Sequence, residues 1–315
     1  MTPIGFRGGE FAFIDWIRSR NEETGRRLLV GPGDDAAVID PEASHVTLTT
    51  DMLLEGTHFD LGKVTPREVG WKSIGVSLSD LAAMGTEPVA CVVAVGLPES
   101  SGRELREGLC EGMRDLADRF DVSIAGGDVT SWTTPRVVVC VTALGRVAGV
   151  APVLRSGARA GDVIVVTGRL GGSLLGRHVR FVPRVVEALI IAREYAPHAM
   201  IDLSDGLSSD LAHVAIESKV GAVVDAASIP VSPDAEAAAK ADGRSPLDHA
   251  LHDGEDFELL VTLAEADARR LVDEDPFDTE RTIIGRVTEA RELVIRDADG
   301  TERTLQPGGY EHLRG

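Results

Sequence analysis

The sequence predicts a mixed α/β and α+β protein of two domains. Three observations carry that prediction. The chain has 315 residues, more than one ordinary hydrophobic core holds. Apolar residues make up 43 % and charged residues 26 %, the balance of a globular chain. Apolar runs with strand character alternate with stretches of helical periodicity in both halves. Aromatic residues are scarce at 4 %, so the core is built from Val, Leu, Ile and Ala.

The elements follow in order. "GEFAFIDWIRSR" carries apolar residues at helical spacing and reads as a first helix. Strands are predicted at 36–40 and 46–51. Residues 66–84 begin with Pro and repeat apolar residues at three and four spacing, a helix ended by Gly85 and Pro88. "VACVVAVGLP" is the next strand and "SGRELREGLCEGMRDLADRF" a second amphipathic helix. "VSIAGGDVT" reads as a short strand running into a glycine turn, and "RVVVCVTALGRV" as a long strand covered on one face. A boundary falls near 149–156. Then come a buried strand, "GDVIVVTG", and a glycine turn, "RLGGSLLG". A helix at 181–195, a strand at "AMIDLSDG" and a helix at "GLSSDLAHVAIESK" follow. Strands at "GAVVDAASIP" and "FELLVTLA", a helix at "AEADARRLVDE", and strands at "RTIIGRVTEA" and "ELVIRD" complete the second half.

Charge excludes some function classes. Acidic residues outnumber basic ones by 51 to 32, for a net charge of −19. Such a surface repels nucleic-acid backbones and anionic lipid, so neither is an expected partner. Phosphate ligands stay open if cations sit between phosphate and carboxylate. Cys91, Cys110 and Cys140 are odd in number and widely spaced, and read as reduced packing residues of a cytoplasmic protein. The N-terminus lacks the pattern of a signal peptide, and the longest apolar run is too short to span a bilayer.

The acids are not spread evenly. They recur beside Gly, Ser or Thr at predicted strand ends and turns: Asp34 and Asp35 in "GDDAA", Thr49, Thr50 and Asp51 in "TTD", Asp80 in "LSDLAAMG" and Asp128 in "AGGDVT". Asp202 and Asp205 stand in "MIDLSDG", and Asp253, Glu255 and Asp256 in "HDGEDFEL". Taken singly, each reads as an N-cap or an Asx-turn. Taken together they do not, because an ionised carboxylate leaving water needs a partner charge or a metal, and few Lys or Arg residues lie nearby in sequence. Clustered carboxylate and hydroxyl oxygens favour magnesium over zinc or iron. Magnesium in such sites shares its ligands with phosphate oxygens, and the turns in "AGGDVT" and "RLGGSLLG" offer bare N–H groups for phosphate. The chain has no Walker motif and no dinucleotide G-x-G-x-x-G. It also lacks a G-x-S-x-G nucleophile elbow. Of the histidines, His58 stands beside acidic and glycine motifs, whereas His178, His198 and His213 read as helix-surface or packing residues.

As a set, "GPGDDAAV", "TTDMLLEGTHF", "SLSDLAAMGTEP", "AGGDVT", "RSGARAGDVIVVTG", "MIDLSDGL", "DGEDFELL" and the final "GGYEHL" resemble the thiamine-monophosphate kinase family, in order and over nearly the whole chain. The resemblance implies an aminoimidazole ribonucleotide synthetase-like fold. An N-terminal ATP/magnesium-binding α+β domain, residues 1–150, would pair its sheet with that of a second subunit in a homodimer. A C-terminal α/β domain, residues 151–315, would complete the cleft. It implies ATP as co-substrate, several magnesium ions, and phosphorylation of thiamine monophosphate to thiamine diphosphate by in-line transfer without a phosphoenzyme. Carried over by motif, the magnesium ligands are Asp35, Asp51, Asp80, Asp128, Asp202 and Asp205, with Thr49 and Thr50 assisting and Asp34 as a second member of its pair. Asp35, Asp51, Asp80, Asp128 and Asp205 form the expected catalytic set. ATP contacts come from Gly127, Asp128, Arg155 and Ser204, and substrate contacts from His58, Glu255 and Tyr310. The chain departs from the family with Asp253 where "GGED" has glycine, with Val129 for a threonine, and without an aspartate in "GRLGGSLLG". Two alternatives stand beside this reading. One is another ATP-dependent ligase or kinase of the same superfamily. The other is a nucleotide- or metal-binding protein without turnover.

Overall fold

The computed structural model describes residues 28–30, 37–39, 45–147 and 149–311. The expected helix in "GEFAFIDWIRSR" and the pair Asp34 and Asp35 lie outside them.

Among the described residues, two sheets organise the chain. The first has six strands: β1 (Leu28–Val30), β2 (Ala37–Ile39), β3 (Val46–Leu54), β4 (Glu87–Pro98), β5 (Ser123–Trp132) and β6 (Val138–Arg146), in the order β1-β2-β3-β6-β4-β5. Only β4 and β5 run parallel; the other neighbours are antiparallel. The second has seven: β7 (Val163–Thr167), β8 (Ala199–Asp202), β9 (Gly221–Asp225), β10 (Leu259–Leu263), β11 (Arg281–Thr288), β12 (Leu293–Arg296) and β13 (Glu302–Thr304). Their order is β13-β12-β9-β11-β7-β10-β8, with β9 and β12 parallel.

The helix α1 (Pro66–Ala83) lies between the sheets. Its start is built from sequence. Thr65 caps it with its side chain, the Glu68 carboxylate accepts from the Thr65 N–H at 2.8 Å, and Pro66 occupies the first turn. Thirteen of its 18 residues are buried, as expected of a helix covered on all sides. It packs on α2 (Arg103–Arg119) and α3 (Val185–Glu194). One apolar core joins α1 to the first sheet and to one face of the second, through Val163, Val165, Met200 and Val261. A second core lies on the other face, where Ile164, Val166, Ile201 and Leu260 meet α4 (Leu207–Ser218).

Some expectations change. Residues 123–132 form one continuous strand, so Gly126 and Gly127 do not make a turn. A bulge passes over Ala125, and a Cβ on Gly127 would lie 1.8 Å from the Val93 carbonyl oxygen. The glycine serves close strand approach. Two helices with no counterpart in the predicted elements, α5 (Pro233–Asp242) and α6 (Pro246–His252), precede α7 (Glu265–Glu274). Cys91 is buried, but Cys110 is exposed on α2 rather than packed. No helix among the described residues is long and apolar enough to cross a membrane.

Candidate active site

A helix covered on all sides is expected to be apolar, yet α1 carries Lys72, Ser77, Ser79 and Asp80. Each of these meets a polar group from another element. Strand β3 turns Thr49 and Asp51 to the same face by its two-residue period. Ser77 donates to the Asp51 carboxylate at 2.6 Å, and Thr49 donates to Asp80. From the second sheet, β8 ends at Asp202, 2 % exposed, which accepts from Ser79 at 2.6 Å. Two serines two positions apart therefore hold carboxylates from two different sheets. Burial pushes the Asp51 carboxyl up, and the Ser77 hydrogen bond only partly offsets it.

The chain then turns sharply into α4. Gly206 has φ +109°, a conformation open to glycine and strained for other residues. Asp210, in the first turn of α4, accepts from the Asp205 N–H at 3.1 Å and the Gly206 N–H at 3.0 Å. Burial, then the negative charges of Asp205 and Asp202, drive its carboxyl well above the usual carboxylate range, and Arg155 pulls the other way. Asp205, Asp210 and His213 place one ligand-type atom each within 4.8 Å of one another. Asp210 and His213 are the residues that sequence reasoning missed. His213 belongs to this acidic cluster, not to a merely packed surface. His178, by contrast, is buried with Nδ1 3.0 Å from the Ser173 carbonyl oxygen, a packing role.

Beside these acids lies a cavity of about 330 Å³, walled by Asp51, His58, Ser204, Asp205, Glu255 and Tyr310. His58 Nδ1 accepts the Leu54 N–H at 3.0 Å, so a neutral ring carries its proton on Nε2. Lys72, 0 % exposed, donates to the His58 carbonyl and to Glu255 Oε1, both at 2.6 Å. Burial lowers the Lys72 pKa, against the raising influence of the Glu255 charge. Glu255 sits at φ +64°, its N–H bonded to the Ser204 carbonyl at 2.7 Å. Its second oxygen, Oε2, is buried with no hydrogen-bond partner among the described residues. The C-terminal segment straps the same turn. The Tyr310 N–H reaches the Asp205 carbonyl at 3.0 Å, and Gly309 N–H reaches Ser209 Oγ at 2.9 Å.

The rest of the "GEDFEL" run builds scaffold. Asp256 accepts the Gly171 N–H at 2.8 Å and pairs with Arg177 at 2.9 Å. Glu258 receives the fork of Arg184 and the hydroxyl of Thr167. Asp253, the departure from the family pattern, is not part of the cavity wall. Its oxygens take the Gly172 N–H at 3.0 Å, His249 at 2.8 Å and Arg244 at 3.2 Å. The N–H groups of Gly171 and Gly172 are thus spent on carboxylates, which corrects the expectation that "RLGGSLLG" cradles phosphate.

Not every expected residue comes to this cavity. Thr50 borders it, but its hydroxyl is turned to the opposite face of β3, where it bonds Thr142 Oγ1 at 2.9 Å. Asp128 stands opposite Ala94, Ala94 opposite Cys140, and Cys140 opposite Met52, so its side chain also lies on the face away from Asp51. With Gly127 it borders a separate cavity of about 900 Å³ beside α2.

Comparison with known proteins follows this geometry. The family described as AIR synthase related protein, N-terminal domain, matches residues 33–147, and its C-terminal domain matches residues 176–298. Thiamine-monophosphate kinase of Rhodopirellula baltica is 36 % identical over 312 residues, covering 96 % of this chain and 97 % of that one. The protein of the same name from Mycobacterium tuberculosis H37Rv is 37 % identical, covering 95 % and 90 %. Among solved structures, AaThiL complexed with AMPPCP and TMP superposes with a TM-score of 0.82 at 28 % identity, covering 98 % of this chain and 99 % of that one. Matched domain by domain and along nearly its full length, the chain belongs to the AIR synthase related protein family, and within it to the thiamine-monophosphate kinases.

Proposed function

We propose that the chain transfers the γ-phosphoryl group of ATP to the phosphate of thiamine monophosphate, giving thiamine diphosphate and ADP. One observation carries the reading: carboxylates from both sheets converge on α1 beside a cavity whose far wall is His58, Glu255 and Tyr310. It is supported by the likeness to AaThiL, whose solved complex holds AMPPCP and TMP.

The acceptor phosphate is ionised near neutral pH, so the reaction needs no strong base. The barrier lies in bringing two anions together, and positioning with charge neutralisation must lower it. The donor set fits a hard divalent cation. Its groups are carboxylate and hydroxyl oxygens, and burial pushes Asp51 and Asp210 toward protonation, with the like charges of Asp205 and Asp202 adding to it at Asp210. Asp51, Asp80, Asp202 and Asp205 would hold magnesium, with Thr49 orienting Asp80. Asp34, Asp35, Thr50 and Asp128 enter the proposed set through their motifs alone. Bound magnesium neutralises phosphate charge. Arg155 supplies a fixed positive group beside Asp210, and Ser204 and Gly127 complete the proposed ATP contacts. His58, Glu255 and Tyr310 hold the substrate side. Transfer is direct and in line, without a phosphoenzyme, because the acids that could attack are occupied as ligands.

In this reading residues 1–150 form the ATP/magnesium-binding domain and residues 151–315 close the cleft. A homodimer is proposed through the open face of the first sheet, where Met52, Leu54 and Val92 are exposed. A cytoplasmic location is proposed with it. The test is incubation of purified protein with ATP, magnesium and thiamine monophosphate. Thiamine diphosphate and ADP should appear together. Their absence from a preparation that still binds ATP would overturn the substrate assignment.

A further inference from the structure

The buried lysine of α1 has no place in the chemistry above. An ammonium with no exposure is costly to desolvate, and a buried ion pair is often no more stable than apolar side chains of similar volume in place of both partners. Lys72 does not line the cavity, yet both of its partners do. His58 belongs to the loop after β3, on the first sheet's side. Glu255 belongs to the loop before β10, on the second sheet's side. One ammonium at 2.6 Å from each joins the two walls of the cavity across the seam between the sheets.

The bond also orients Glu255. With Oε1 held by Lys72, Oε2 is left buried and without a partner among the described residues. A buried oxygen without a partner is costly until a donor reaches it, and Glu255 lines the cavity into which an occupant would bring one. The acids on the other side of the cavity have clamps of their own, Ser77 for Asp51 and Ser79 for Asp202. Lys72 therefore governs one side of the site and not the other.

We infer that Lys72 is a positioning residue for the acceptor substrate. It sets the separation of His58 and Glu255 and the direction of the free Glu255 oxygen. This deepens the proposed kinase reading and rests on it. Misplacing a binding group by about 1 Å can cost on the order of a hundredfold, so loss of the ammonium should weaken acceptor binding tenfold to a hundredfold.

The experiment is steady-state kinetics of wild type, Lys72→Met, Glu255→Gln and the double variant, each with both substrates varied. Wild-type turnover of thiamine monophosphate tests the underlying reading separately, since its absence would remove that reading before any variant is compared. With turnover present, Lys72→Met should raise KM for thiamine monophosphate at least tenfold and leave KM for ATP within about twofold. The double variant should be no worse than the worse single one, because Lys72 acts through Glu255. Lys72→Arg, which keeps a cation near both partners, should recover part of the loss. It also carries the test if Lys72→Met fails to fold, with an acceptor KM raised at least threefold and ATP unchanged. An unchanged acceptor KM, equal effects on both KM values, or additive losses in the double variant would overturn the inference. A merely structural role would lower the active fraction and leave both KM values in place.

Discussion

Asp256 gives a pH dependence with a sign that runs against the usual carboxylate. Its side chain is 2 % exposed, and burial pushes its pKa up from 3.8 to about 7, with Arg177 and the Gly171 N–H pulling the other way. The folded protein thus keeps a proton that the unfolded chain has already lost. Stability from this group is fully present below about pH 4 and is lost as pH rises toward 7, because the folded state binds more protons across that window. Between pH 5 and pH 8 the difference integrates to roughly two pKa units, or roughly 2–3 kcal/mol. The perturbation is Asp256→Asn, which keeps the shape and one acceptor but cannot ionise. Altered contacts to Arg177 give a constant offset, and all other titrating groups cancel between the two proteins. Urea unfolding of both, at unit steps from pH 5 to pH 8 with chelator present, should show the Asn variant gaining roughly 2–3 kcal/mol on the wild type as pH rises. A flat difference, or one moving in the wild type's favour, would refute the claim that burial outweighs Arg177 at this site.

Two further outcomes follow from the same scaffold. Gly206→Ala places a Cβ 2.9 Å from the Asp253 carbonyl oxygen at a φ of +109°, and should cost about 1–3 kcal/mol, read as a lower urea midpoint. Glu258→Leu strips Arg184 of its main carboxylate and Thr167 of its acceptor. It should cost about 3–5 kcal/mol, and adding Arg184→Met should recover most of that. Thermal melts of the two singles and the double decide it.

How much was legible follows the range of the interactions. Helix α1 was read from Pro66 and its apolar spacing because a capping box and a periodic face are local signals. Helices α5 and α6 have local signals too, Ser232 before Pro233 and Ser245 before Pro246, each serine capping its helix. The alanine-rich sequence of α5 lacks the apolar stripe that marks a helix by periodicity. Gly126 and Gly127 are ambiguous in sequence because glycine signals both a turn and close backbone approach, and only the neighbouring strand β4 decides between them.

The acids divide in the same way. Asp51, Asp202 and Asp205 could be picked out because each ends or follows an apolar run, where a charge needs a reason. What holds them could not, since Ser77 reaches back 26 residues to Asp51 and Ser79 forward 123 to Asp202. A trace did exist. "KSIGVSLSD" sets a lysine, three serines and an aspartate into a helix otherwise fit for complete burial. Buried polar side chains need partners, and in a helix between two sheets those partners must come from both. The polar residues of α1 are therefore a better guide to where the site lies than any single carboxylate. They mark an element that touches both walls, and they distinguish Glu255, tied to Lys72 at the cavity, from Asp256 and Glu258, which sit in the same short motif and serve the fold.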